Sequence, residues 1–274
     1  MPAWLMMSGE PAGSAHAAGT TRYNPPIGII SPVATESWTQ LLARDTYTWG
    51  NLYVRVTANA ATAASTVTSR VNGGNGGQSA PIGAGATGAF EGTGTDALVT
   101  GDLIDWVVVT GAGGALTLSI LASTLTTAAN NTPVLGASDP AATTVDFGVT
   151  AYLPIAGRLL RNTTESTVQY SVRTTSTLSN LRVTVRANSL DAATTVRTRV
   201  NGANGAQSFS IGAGATGSTE DSTNTDPVAI ADLINYQVAA GGTTGSITFT
   251  LAQLKSTSTG RQVASARPGP GALA

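Results

Sequence analysis

The chain has 274 residues, of which 41% are hydrophobic and only 11% are charged, and its net charge is −1. That length allows one large domain or two of about 110–130 residues, each with its own core. A chain so near neutrality lacks the one-signed field that draws nucleic acid or an anionic membrane, and without cysteine it has neither disulfides nor thiolate metal sites.

Met1–Glu10 has no basic start, and its apolar run is too short for a secretory h-region, so synthesis in the cytoplasm without Sec-type export is expected. No stretch approaches the roughly 18 apolar residues of a membrane span. Residues 1–34 are rich in Pro, Gly and Ala without periodicity, and read as an extended N-terminal arm that holds the single histidine, His16, in solvent.

From residue 35 onward the chain repeats itself. Asn51-Leu-Tyr-Val-Arg-Val-Thr-Ala-Asn59 returns as Asn180-Leu-Arg-Val-Thr-Val-Arg-Ala-Asn188, a spacing of 129 residues. Arg70-Val-Asn-Gly73 and Ile82-Gly-Ala-Gly-Ala-Thr-Gly88 return as Arg199-Val-Asn-Gly202 and Ile211-Gly-Ala-Gly-Ala-Thr-Gly217 at that spacing. After one inserted residue, Asp102-Leu-Ile104 returns as Asp232-Leu-Ile234. Such constant spacing marks an internal duplication.

Within the repeats the pattern is period two. Leu52, Val54 and Val56 alternate with Tyr53, Arg55 and Thr57, and later strands are expected at Ile104–Val108, Leu116–Ile120 and Ile247–Leu251. Asn72-Gly73, Asn75-Gly76, Asn201-Gly202 and Asn204-Gly205 read as left-handed pairs in tight hairpin turns. The expected fold is all-β: two tandem jelly-roll-like antiparallel β-sandwiches, residues 35–126 and 151–255. A linker, 127–150, joins them, and 256–274 form a flexible C-terminal tail.

Chemistry is sparse. His16 alone cannot frame a catalytic triad or a multi-histidine metal site. Gly83–Gly88 resembles a phosphate loop only superficially, because a Thr/Gly-rich stretch follows it where a helix is required. Glu220, Asp221 and Asp226 form the densest acidic region and are the candidates for a loop ligand or Ca²⁺, although their spacing is not that of an EF-hand. Turn formation is the plainer role for such acids, and Asp102 and Asp232, just before strands, suit bonds to backbone. Trp49 and Trp106 align with Leu178 and Tyr236 and read as core. Trp38 aligns with Thr167 and Trp4 lies in the arm, so both are candidate interface residues, or else sites where the two modules pack differently. No catalytic residue, cofactor or metal is expected.

The strings Thr177–Val185, Arg199–Gly205, Ile211–Gly217, Glu220–Asp226 and Asp232–Val238 resemble jelly-roll modules of tailed-phage virion proteins, akin to the C1q/TNF-like heads of fibres and decoration proteins. That resemblance implies a non-enzymatic virion protein, most readily a capsid decoration or head-associated subunit. Its partners would be further copies of itself, as a homotrimer, and the major capsid protein or other virion proteins. The alternative is a tail-fibre, spike or adhesin module that binds a host glycan. Copy one has Gly92-Thr-Gly94 where copy two has Asp221-Ser-Thr223, so a function of that loop would belong to copy two.

Overall fold

The computed structural model describes residues 3–127 and 134–258. The chain divides into two compact units, Met1–Asn130 and Asn131–Ala274. In the first, β1 (Ala3–His16), β2 (Thr21–Asn24), β3 (Leu41–Leu42), β4 (Tyr47–Asn59) and β5 (Ser65–Val71) are followed by β6 (Gly74–Ile82), β7 (Gly88–Glu91), β8 (Thr95–Leu98), β9 (Leu103–Val109) and β10 (Leu116–Thr126). One sheet runs β1-β10-β4-β7, with β8 also on β4, and the other runs β2-β9-β5-β6, with β3 on β9. The first strand thus lies beside the last and the second beside the last but one, which is the jelly-roll wrap.

The second unit contains β11 (Val134–Asp146), β12 (Thr150–Leu153), β13 (Gly157–Arg158), β14 (Tyr170–Ser171) and β15 (Ser176–Asn188). It continues through β16 (Thr194–Val200), β17 (Ala203–Ile211), β18 (Gly217–Val228), β19 (Leu233–Ala239) and β20 (Ser246–Ser258). Its sheets run β13-β11-β20-β15-β18 and β12-β19-β16-β17, with β14 on β19. All named strand pairs of the chain are antiparallel except the short β11–β13 contact.

These strands revise the boundaries expected from sequence. The expected extended N-terminal arm is instead part of the first unit from Ala3 onward, because β1 pairs with β10 from Ala3↔Thr126 to His16↔Leu116 and β2 pairs with β9, while residues 1–2 lie outside the described residues. Of the expected linker, Val134–Asp146 form β11, which pairs with β20 from Val134↔Lys255 to Asp146↔Ser246, and 128–133 lie outside the described residues. Of the expected tail, Ser256–Ser258 complete β20, and 259–274 lie outside the described residues.

Alternation places the cores as expected over most of the length. Leu52, Val54, Val56 and Val67 are buried in the first unit, and Leu181, Val183, Val185 and Val196 in the second. The last strands depart from it. The pairing register of β10 shifts between Leu118 and Ile120, so Leu121 is buried while Ile120 is only partly so. Shifts in β20 likewise carry the inward row from Ile247 and Phe249 to Ala252 and Leu254. An extra residue in one strand swaps the faces of everything after it. Arg182 and Thr184, which alternate with the inward row of β15, are buried too: the Arg182 guanidinium donates to Gln253 Oε1 at 3.2 Å and Ser218 Oγ at 2.8 Å.

The hairpin turns separate into two kinds. Asn72 and Gly73 have φ of 52° and 78°, and Asn201 and Gly202 have 52° and 77°, as a two-residue turn of the primed type demands. Asn75-Gly76 and Asn204-Gly205 are not turns; they lie in β6 and β17 without left-handed φ. Glycine is needed there for proximity, because a Cβ on Gly76 would lie 2.3 Å from Asp96 Oδ1, and one on Gly205 would lie 2.3 Å from Thr198 Oγ1.

Candidate functional site

The acidic region of the second unit lies on β18, with its oxygens turned to its own chain. Asp226 is buried and accepts from Thr198 Oγ1 at 2.6 Å, Gln207 Nε2 at 3.0 Å and the Ala206 amide. It thereby ties β18, in one sheet, to β16 and β17 in the other. Asp96 makes the same tie in the first unit, accepting from Gln78 Nε2 at 3.0 Å and from the Gly77 amide. Asp221 accepts from Ser208 N at 2.8 Å, Thr223 N and Asn224 N at 3.0 Å, and Asn224 Nδ2 at 2.9 Å. Burial opposes its charge, but these donors, those of Asn224 foremost, outweigh it and hold the carboxyl down at about 2. Glu220 accepts from Asn180 Nδ2 at 3.0 Å. The three carboxylates expected to meet a ligand or Ca²⁺ are thus engaged within the strand framework. Among the described residues, no group of three or more His, Cys, Asp or Glu is placed to hold a metal ion.

Asp102 and Asp232 take the turn role expected of them. Asp102 accepts from Val99 N and Asn72 Nδ2, at 2.8 and 2.7 Å, and Asp232 from Ala229 N and Asn201 Nδ2, at 2.7 and 2.8 Å. The glycine-rich strings are turns as well: Asn59 Nδ2 donates to Gly83 O and Ala86 O, both at 3.0 Å, and Asn188 repeats this on Gly212 and Ala215.

A second cluster, not foreseen as such, occupies the outer face of the β2-β9-β5-β6 sheet in the first unit. A 3-10 turn, Glu36–Trp38, lies there and is held by Arg70 of β5. Arg70 Nε donates to Glu36 Oε1 at 2.8 Å and Nη1 to Asn75 Oδ1 at 2.7 Å, while its guanidinium sits 5.7 Å from the Tyr23 ring centre. The second unit repeats the clamp with Arg199 Nε on Glu165 Oε1 at 2.9 Å and with Tyr152 at 5.9 Å. In the first unit this turn covers Asp105, which the alternation of β9 points away from the core and which nonetheless has no exposed surface. Burial pushes its carboxyl up to about 8; Thr39 opposes this, Glu36 adds to it and Arg70 opposes it.

Of the tryptophans, Trp49 and Trp106 are fully buried, with ring centres 4.3 Å apart. Trp4, on β1, meets Tyr47 edge to face at 6.4 Å, a contact within its own unit. Trp38 lies in the 3-10 turn and is half-buried. Trp38 belongs to the first unit, whereas Glu220, Asp221 and Asp226 belong to the second.

His16 is not a solvated arm residue: it ends β1 fully buried. Its Nδ1–H donates to Ser14 O at 3.2 Å, and Nε2 accepts from Asn24 Nδ2 at 3.0 Å. Burial pulls its pKa down to about 4, so the ring is neutral in the folded state. At the repeat spacing, His16 and Asn24 become Val145 and Leu153, both buried. A group depressed in this way stabilises above its unfolded pKa near 6.5 and loses that stability as pH falls through 4. Replacing the pair by Val and Leu together should therefore raise unfolding free energy, relative to wild type, by about 3 kcal/mol more at pH 4 than at pH 7. Denaturant titrations at the two pH values measure it, and an unchanged difference would show that His16 does not titrate in this range.

Comparison with protein-family models and with curated proteins finds no match. Among the described residues, no helix is long and apolar enough to cross a membrane.

Proposed function

We propose that the protein is a non-enzymatic structural subunit of a tailed-bacteriophage virion, a capsid decoration or other head-associated protein that assembles with copies of itself, as a homotrimer, and with the major capsid protein. The observation that carries this reading is the strand order. In both units the first strand closes on the last, around the turn and strand strings that resemble virion jelly-roll modules. The internal ties at Asp96, Asp226, Arg70 and Arg199 support it, because they make each unit a stiff block suited to a shell built of repeated contacts.

Proteomics and immuno-electron microscopy of particles from the source of this sequence test the proposal. Many regularly spaced copies on the head are expected, and light scattering should give three times the mass of one chain. Absence from the particle overturns the proposal. A glycan array returning a specific sugar, lost on Trp38→Ala, would favour the adhesin reading instead, since Trp38 is a half-buried aromatic that copy two lacks.

A further inference from the structure

The 3-10 turn of the first unit is fastened from two sides. On one side is the Arg70–Glu36 ion pair, which the second unit shares through Arg199 and Glu165. On the other is Thr39, also fully buried, whose Oγ1 lies 2.8 Å from Glu36 O and 2.9 Å from Asp105 Oδ2. A hydroxyl has one proton and cannot donate it to both oxygens. If Asp105 were a carboxylate, one of these close oxygen pairs would contain no hydrogen. When Asp105 carries a proton the chain closes: Asp105 O–H donates to Thr39 Oγ1, and Thr39 O–H donates to the Glu36 carbonyl.

The second unit makes the same substitution in chemical terms. At the repeat positions of Asp105 and Thr39 stand Asn235 and Val168, so a neutral amide of the same shape replaces the acid, and the hydroxyl partner is gone. Asn235 is as fully buried as Asp105. Two copies of one framework thus bury, at the same point, an acid in the first unit and an amide without charge in the second.

We infer that Asp105 is a neutral carboxylic acid that latches the segment Glu36–Thr39 onto its sheet, and that loss of its proton to solvent base releases this segment in the first unit alone. The charged and titratable groups facing it are Glu36 from the 3-10 turn, Arg70 directly opposite on β5, and Tyr23 of β2 beyond Arg70. Ionised Asp105 would place a second negative charge beside Glu36 and draw Arg70, the only cation among these groups, away from the ion pair that holds the turn. Burial and Glu36 both favour the protonated form, and the release is expected near pH 8. Trp38, carried on the turn, would pass from its half-buried place into water.

Two readouts test the inference on the intact chain. Infrared difference spectra between pH 6.5 and pH 9.5 should contain the carbonyl band of one buried carboxylic acid, absent from Asp105→Asn. The emission of Trp38, taken as the difference between wild type and Trp38→Phe, should shift to the red with a midpoint near pH 8, and the shift should vanish in Asp105→Asn. The precedent of Asn235 indicates that this variant keeps the fold. No carboxylic acid band at pH 6.5 overturns the proton assignment. A band without a Trp38 shift, or a shift that survives Asp105→Asn, overturns the latch.

Discussion

Asp226→Ala is expected to lower the stability of the second unit by about 3 kcal/mol, because it strands three donors that have been taken out of water. Gln207 Nε2, Thr198 Oγ1 and the Ala206 amide all point at this carboxylate. Gly205 leaves the room for it, since an added Cβ would lie 2.7 Å from Asp226 Oδ1. Gly205→Ala should thus show part of the same loss, with the side chain still present but pushed out of register. Asp226→Asn keeps the shape but turns an NH₂ toward donors, and should fall between wild type and alanine. Denaturant unfolding of the three variants gives the order. A loss below about 1 kcal/mol for the alanine variant would mean that the tie between sheets is not what keeps β18 in place.

Trp106→Ala should cost the first unit about 4 kcal/mol, within the range for deleting a large, fully buried aromatic. Trp106 packs on Trp49, whose indole N–H donates to Ser123 Oγ at 2.7 Å. At the repeat positions of Trp49 and Ser123 stand Leu178 and Leu254, both in the core of the second unit, and Tyr236 replaces Trp106. Converting Trp49 and Ser123 together to leucine should therefore cost less than the sum of the single changes, by about 1 kcal/mol, since either change alone leaves an unmatched polar group. A double-mutant cycle followed by thermal unfolding measures the coupling. Strict additivity would show that the indole hydrogen bond contributes nothing.

The middle of each unit was readable because its signals are local. Alternation from Leu52 to Val56 and the Asn72-Gly73 turn depend on residues adjacent in the chain, and the buried places of Trp49 and Trp106 follow from alignment with Leu178 and Tyr236. The first strand of each unit was not readable that way. In β1 the pairing register breaks between Gly9 and Ser14, around Pro11 and Gly13, and in β11 it breaks between Ser138 and Thr143, around Pro140. A strand interrupted like this loses its period of two. The repeat did carry the missing signal, since Gly19, Thr21, Tyr23 and Gly28 meet Gly148, Thr150, Tyr152 and Gly157 at the same spacing of 129 residues. Followed to the N-terminal side, that match would have placed His16 opposite Val145 in a core strand. Asp105 is a different matter. Its alternation points it outward, and only the turn folded over it, tens of residues away in sequence, removes the water.

The pairing of Ala3 with Thr126 carries a kinetic consequence. Neither half of that sheet edge exists as a local hairpin, so the unit must close a loop of about a hundred residues, between His16 and Leu116, before its first strand can pair with its last. Nascent chains would hold β1 and β4 without the strand that belongs between them until β10 has left the ribosome. Such distant pairing belongs to the slow end of single-domain folding, on the order of milliseconds to seconds. During that wait a second chain emerging nearby offers an equivalent β10, so crowded synthesis favours exchange of first strands between neighbours.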